Sequence, residues 1–333
     1  MLPSPGALRP EERDRRSAAG NSAPLEARGP GGLSLYNVYT FSSAAKKCYY
    51  TDLNYPSRTR SLIPEMTSYL PKLAKNLVRG AFMELYLTPK PGLVDLCDCG
   101  AHPDLSVPRM EASLKIVSLY LMDLCDAVLS GEDLAARVRL GVAAERAVQR
   151  AVGTSCHKGY IFLGGLVLCA GACAPGRDEE SLRSSIAGLA ELFFEHGEPG
   201  SAHRVRNRFQ GGGIREEALA GLPSLFDEAL PVFRRELADG GNRGSAVFAM
   251  MGRLMQTVED STTLRSGGRS GLKTVREDGR LLERMVVQRD DFLTFLAQRN
   301  AHYVSRSLTM GGVAGLLALA LAWLSHTGEL EAA

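Results

Sequence analysis

The stretch Ala112-Ser-Leu-Lys-Ile-Val-Ser-Leu-Tyr-Leu-Met-Asp-Leu-Cys-Asp-Ala-Val-Leu129 is apolar nearly all round, with polar breaks at Lys115, Ser118, Asp123 and Asp126. Such a segment reads as a helix buried on most of its surface. Outward from it, Glu132–Val152 reads as a second, more amphipathic helix. Further helical patterns cover Ile161–Ala172, Glu180–Glu195, Glu216–Leu237, Ser245–Val258, Gly279–Gln298 and Gly312–Ser325. Sustained period-2 alternation rich in β-branched residues is missing, and no internal repeat of about 20 to 50 residues argues for a solenoid. The expected fold class is all-α: a single multi-helix domain beginning near residue 66.

Composition narrows the function. With 333 residues, 45% hydrophobic and 23% charged, the chain is near the globular average, which excludes wholesale disorder and a polytopic membrane protein. Thirty-nine basic against 37 acidic residues leave a net charge of +2. There is thus no bulk field for nucleic acid or an anionic membrane, and any anion site must come from local clustering. The seven cysteines contain no Cys-x-x-Cys pair, so a disulfide framework or zinc ribbon is not expected and a reducing cytoplasm fits. The first residues carry Arg and Glu where a secretory signal needs an unbroken apolar stretch. Met310–Leu324 is a 15-residue apolar run, short of the roughly 20 residues of a membrane helix, and reads as a buried helix. Residues 1–34 hold five Pro and five Gly without apolar periodicity and read as a disordered arm; the aromatic residues 35–65 fit either a short hairpin or an irregular strap.

In a helical protein, binding groups concentrate in connections that carry Gly, Pro and charge together. Five such stretches stand out. The first runs from Glu84 through Thr88-Pro-Lys-Pro-Gly-Leu-Val-Asp95 to Gly100-Ala-His-Pro-Asp104. Alone it reads equally as a helix stop and solvated turn. The second, Gly153-Thr-Ser-Cys-His-Lys-Gly159, puts a His-Lys pair where a helix N-terminus can meet a phosphate, or is simply a capped helix start. The third places Arg204, Arg206, Arg208 and Arg215 around Gly211-Gly-Gly213, a combination suited to a polyphosphate but lacking the Gly-Lys-Ser/Thr ending of a P-loop. The fourth, Glu259-Asp-Ser-Thr-Thr-Leu-Arg-Ser-Gly-Gly268, offers oxygen ligands of the kind Mg²⁺ takes, or ends a helix with solvated acids. The fifth, Thr309-Met-Gly-Gly312, starts a helix with two glycines whose plain purpose is close packing. Cys97, Cys99 and His102 have a poor spacing for zinc. Cys156 beside His157 is a weak case for a thiol nucleophile, because chain neighbours seldom face each other.

In order and content these stretches resemble the triphosphoribosyl-dephospho-CoA synthases of citrate lyase and malonate decarboxylase prosthetic-group synthesis, over roughly residues 75–325. Thr88–Asp95 with Gly100-Ala-His102 and Asp104 is similar to the family's opening motif. Cys156-His-Lys-Gly159 has Cys where the family has Thr, and Gly212-Gly-Ile-Arg215 with Glu217-Ala218 follows its Gly-Gly-x-Arg-Gly-Glu-Ala, Glu216 replacing Gly. The later motifs depart: Glu259-Asp-Ser-Thr262 stands for Asp-Asp-Thr-Asn, Arg265-Ser-Gly-Gly268 for His-Arg-Gly-Gly, and Thr309-Met-Gly-Gly-Val-Ala-Gly315 for Ser-Pro-Gly-Gly-Ser-Ala-Asp.

With the helical pattern beginning near residue 66, the resemblance implies a catalytic domain over 66–326, which leaves 1–65 as an N-terminal extension and 327–333 as a tail. It implies a cytoplasmic transferase that joins the triphosphoribosyl group of ATP to the ribose 2′-hydroxyl of 3′-dephospho-CoA and releases adenine, with a carrier-protein holo-transferase downstream. On this reading Asp95 is the base and His157 or His102 protonates adenine. Lys90, Gly92, Lys158, Gly212, Gly213, Arg215, Glu217, Gly267 and Gly268 bind phosphates and substrate, while Asp104, Glu259 and Asp260 carry Mg²⁺. The altered positions keep open a related transferase with another acceptor, or a non-catalytic helical module that binds ATP without releasing adenine.

Overall fold

Several helix boundaries among the described residues follow side-chain capping chemistry. The computed structural model describes residues 64–174, 176–196 and 213–331, and these form α1 (Pro64–Tyr86), α2 (Val107–Leu129), α3 (Leu134–Val152), α4 (Lys158–Cys173), α5 (Glu179–His196), α6 (Ile214–Leu219), α7 (Leu230–Ala238), α8 (Arg243–Thr257), α9 (Ser261–Gln288), α10 (Phe292–Ser305) and α11 (Gly311–Thr327). A π-helical turn, Ser224–Ala229, leads into α7. No strand occurs among the described residues, and the fold is all-α as expected. The arm and strap read over 1–65 lie, up to residue 63, outside the described residues.

The deciding stretch is α2, started by Pro108 in its first turn and buried along Leu114, Val117, Leu121, Leu124 and Val128. Asp133 caps α3 by accepting from the Ala136 amide at 2.7 Å, and left-handed Gly153 ends it. The two most apolar helices, α4 and α11, are buried almost all round, which is what a helix without a polar face requires. No helix among the described residues is long and apolar enough to cross a membrane.

Two helical expectations need correction. Gly279–Gln298 is not one helix: α9 ends at Arg289, which adopts a left-handed cap, and Asp291 starts α10 by accepting from the Thr294 amide. Gly279, which reads as a helix start, is instead where α9 crosses Gly252 of α8 with backbones nearly touching. Glu216–Leu237 is likewise interrupted, because Leu222 takes a left-handed conformation ahead of Pro223.

The largest helix pairing joins the first described helix, α1, to the last, α11. At its centre a Cβ on Gly80 would fall onto the Ala318 carbonyl and the Ala322 amide, backbone atoms that cannot swing aside. Gly80→Ala is therefore expected to cost about 2 kcal/mol, within the overpacking range, despite Ala being the better helix former. Urea unfolding would read this, and a variant as stable as the parent would show that the pair relaxes freely.

Candidate active site

The first glycine-proline stretch connects α1 to α2 and is held from inside by two ionised groups. Lys90 is fully buried, and its Nζ donates to Glu84 Oε1 at 2.7 Å and to the Glu84 and Leu85 carbonyls at the end of α1. All three ammonium protons are thereby used. Asp95, also buried, accepts from the Lys90 amide at 2.8 Å through Oδ2 and from the Cys97 and Asp98 amides at 2.7 and 3.3 Å through Oδ1. Burial pushes its carboxyl above the usual carboxylate range, and these amides and the Lys90 charge pull the other way. The loop is tied to α10 by Asn300, whose Oδ1 accepts from the Gly92 amide at 2.9 Å and whose Nδ2 donates to Asp98 at 2.6 Å.

The fourth and fifth stretches meet through Asp260 and Thr309. Asp260 caps α9, Oδ1 accepting from the Thr262 and Thr263 amides at 2.8 and 3.0 Å, while Oδ2 accepts from the Val313 amide in the first turn of α11 at 2.9 Å. The approach is so close that a Cβ on Gly312 would lie 2.9 Å from Oδ2. Thr309 links three stretches: Oγ1 lies 2.7 Å from His102 Nε2, its carbonyl accepts from Thr263 Oγ1 at 2.8 Å, and its amide donates to Ser266 Oγ at 3.4 Å. Gly268 has φ +62°, a conformation suited to glycine, and marks a kink in α9.

The second stretch ends in His157, at the start of α4. Its Nδ1 lies 2.7 Å from Ser113 Oγ on α2 and 3.5 Å from Cys156 Sγ. Cys156 thus does face its neighbour, contrary to expectation, but burial pushes its thiol up and away from thiolate character. Beyond it, a Cβ on Gly159 would lie 2.7 Å from Ile214, and one on Gly213 the same distance from the Glu259 carbonyl, so the third stretch closes against the second and fourth. The Arg215 guanidinium stacks over Phe194 at 5.2 Å, and its buried Nε has no acceptor among the described residues.

A family model described as ATP:dephospho-CoA triphosphoribosyl transferase matches residues 71–332. The chain belongs to this family. It is 31% identical to a probable 2-(5″-triphosphoribosyl)-3′-dephosphocoenzyme-A synthase of Pectobacterium carotovorum, over 77% of this chain and 89% of the relative. A protein of the same name in Pseudomonas putida is 31% identical over 80% and 98%. The 2-(5″-triphosphoribosyl)-3′-dephosphocoenzyme-A synthase of Klebsiella pneumoniae is 30% identical over 79% and 93%. No solved structure matches.

Within the triphosphoribosyl transferase chain, the stretches carrying Asp95, His102, His157, Gly213, Asp260, Gly267 and Thr309 are linked by the contacts above. Gly212, Arg204, Arg206 and Arg208 lie outside the described residues. Lys158 is half-buried at the start of α4. Glu217 accepts from Ser224 at the start of the π-helical turn, and burial pushes its carboxyl up. The three expected metal ligands do not act as a set: Asp104 and Glu259 are exposed, whereas both Asp260 oxygens already serve helix amides. Among the described residues, no group of three or more His, Cys, Asp or Glu side chains is placed to hold a metal ion. The donor set therefore does not fit a resident metal centre. Ser113 and Asn300 went unread because a single Ser or Asn inside a helical pattern has no signature; each acts through a partner distant in sequence.

Burial and the nearby Lys90 charge hold His157 down to about 4, against an ordinary 6.5. A group that binds its proton more weakly when folded leaves stability intact above its unfolded pKa and removes it as the pH falls toward the folded one. His157 is thus expected to withdraw on the order of 3 kcal/mol between pH 6.5 and 4. Asp95 and Glu217, shifted upward, act in the opposite sense, so the test compares parent with His157→Gln. The variant should show the shallower fall in denaturation free energy over that window; parallel curves would assign the acid sensitivity elsewhere.

Proposed function

We propose that this protein transfers the triphosphoribosyl group of ATP to the ribose 2′-hydroxyl of 3′-dephospho-CoA and releases adenine. The observation that carries this reading is the joining of the sequence stretches through Thr309, Asp260 and Gly213, in a chain of the triphosphoribosyl transferase family. The catalytic domain is assigned to residues 66–326, with 1–65 as an extension and 327–333 as a tail.

The reaction is a displacement at an anomeric carbon. The C1′–N9 bond of ATP breaks, a bond from the acceptor O2′ to C1′ forms, the hydroxyl proton leaves to a base and adenine takes up a proton. Asp95 is the base, a buried carboxylate whose pKa burial raises, which makes it a better proton acceptor than an exposed one. Of the two histidines, His102 is the better proton donor: it is half-buried, and the negative triphosphate offsets the burial that lowers its pKa. Its Nε2 is engaged by Thr309, which leaves Nδ1 to carry the moving proton. His157 is held neutral, orients the start of α4 and offers a hydrogen bond rather than a proton. Arg215 and Lys158 bind phosphate oxygens, while Gly213 and Gly267 let the Glu259 carbonyl and the Leu308 side chain pack closely beside them. Lys90 contributes charge and loop geometry, its donors being spent on Glu84 and the end of α1. Magnesium enters bound to the triphosphate as part of the substrate.

The enzyme works in the cytoplasm and passes its product to a transferase that loads a carrier protein. Purified protein incubated with ATP, Mg²⁺ and 3′-dephospho-CoA should yield free adenine by chromatography and a coupled adduct of matching mass. ATP binding with neither product would overturn the assignment.

A further inference from the structure

A cavity of about 80 Å³ lies between α2, α3, α4 and α5, with Tyr120, Arg137, Gly141, Ile161, Phe162 and Phe193 among its walls. Its lining is mostly apolar, and none of the residues assigned above to the chemistry lines it. Arg137 Nε is buried there without an acceptor among the described residues, its guanidinium beside the Cys169 thiol. Leaving such a donor unmet is costly, and a ligand carbonyl would meet it. The Tyr120 hydroxyl is occupied, donating to the Ile161 carbonyl at 3.2 Å, and the Arg137 guanidinium already bonds the Cys169 thiol, so it is the Arg137 Nε that lacks an acceptor.

The cavity neighbours the phosphate-binding end of the site along α4 and α5. Phe162, in its wall, packs on Phe194 at 5.8 Å, and Phe194 carries the Arg215 guanidinium. Along α4, Phe162 is one turn from Lys158, about 6 Å at 1.5 Å per residue. Along α2, Tyr120 is two turns from Ser113, about 10 Å on the same rise. A molecule gripped by its phosphates at Lys158 and Arg215 therefore reaches the cavity with a linear, amide-containing chain attached beyond the phosphates.

We infer that this cavity binds the pantetheine arm of the acceptor. The inference rests on the acceptor named in the proposed function. That arm is a linear chain of methylenes and two amides extending from a diphosphate, which matches a mostly apolar cavity with an unmet buried donor in its wall. The volume takes about half a dozen water-sized groups, enough for part of the chain and too little for a second nucleotide.

Gly141→Leu tests this. Gly141 lines the cavity in the interior of α3, where leucine is the better helix former, and a Cβ there would lie 3.5 Å from the Tyr120 hydroxyl, an ordinary contact. The variant is expected to weaken 3′-dephospho-CoA binding by about tenfold or more in calorimetry. Its affinity for ADP, which is the same molecule without the arm, and for ATP should stay at the parental values. Arg137→Met, which removes the donor without filling space, should weaken dephospho-CoA alone, by about tenfold. Equal affinity of the parent for dephospho-CoA and ADP, or parental dephospho-CoA affinity in both variants, would overturn the inference. Because binding is read apart from turnover, adenine release with unaffected variants would leave the proposed function standing and remove the pantetheine site. A parent that prefers dephospho-CoA but releases no adenine would do the reverse.

Discussion

Replacing Lys90 by Met should lower the unfolding free energy by about 3–5 kcal/mol, as expected when one partner of a buried ion pair is removed. The side chain is 1% exposed and Glu84 8%, so the orphaned carboxylate has no route to water. The end of α1 loses its cation as well, since the Glu84 and Leu85 carbonyls now take protons from Nζ. The partner change gives the sharper test. Lys90→Met with Glu84→Leu removes both charges and should regain most of the loss, because an apolar pair of similar volume often matches a buried ion pair. Chemical denaturation of the two variants separates these outcomes; a single variant as stable as the parent would mean that Glu84 finds another partner. His157 reports the same change independently. With the Lys90 charge gone, its pKa should rise in an NMR titration, since that charge is one of the two influences holding it down.

Asp95→Asn should reduce turnover by about 10²–10⁴-fold, the usual contribution of a positioned base, while ATP binding is largely retained. The amide keeps the shape of the carboxylate but cannot accept the acceptor's proton. It also places an NH₂ where one oxygen now accepts from an amide, so either the Lys90 side or the Cys97 and Asp98 side of the loop loses its acceptor. That loss should cost about 1–3 kcal/mol of stability, and kinetics must therefore be measured where the variant is fully folded. A loss of turnover alongside unchanged ATP affinity supports the base. Unaltered turnover would confine Asp95 to organising its loop.

The helices were legible because their apolar surfaces are nearly complete: α2, α4 and α11 leave few alternatives. The break between α9 and α10 was hidden, since Arg289 takes the left-handed cap without the glycine that usually announces one. For the site, the glycine-rich connections could be found from composition and order alone. What each polar group does inside them could not. Asp260 reads as a metal ligand until its oxygens are seen to accept from two helices, and Lys90 reads as a phosphate grip until Glu84 is found six residues back and buried with it. Thr309 was visible, yet its hydroxyl belongs to His102, more than 200 residues away, and no periodicity reports such a pairing.

The pairing of α1 with α11 has a consequence for how the chain is made. About 225 residues separate the end of α1 from the start of α11, and at ribosomal rates of about 5–20 residues per second α1 waits roughly 10–45 s for its main packing partner to be synthesised. During that interval its apolar face must be shielded by other helices or by a chaperone. Asp260 waits likewise for the Val313 amide, so a nascent chain becomes competent to hold nucleotide only as its last described helix emerges.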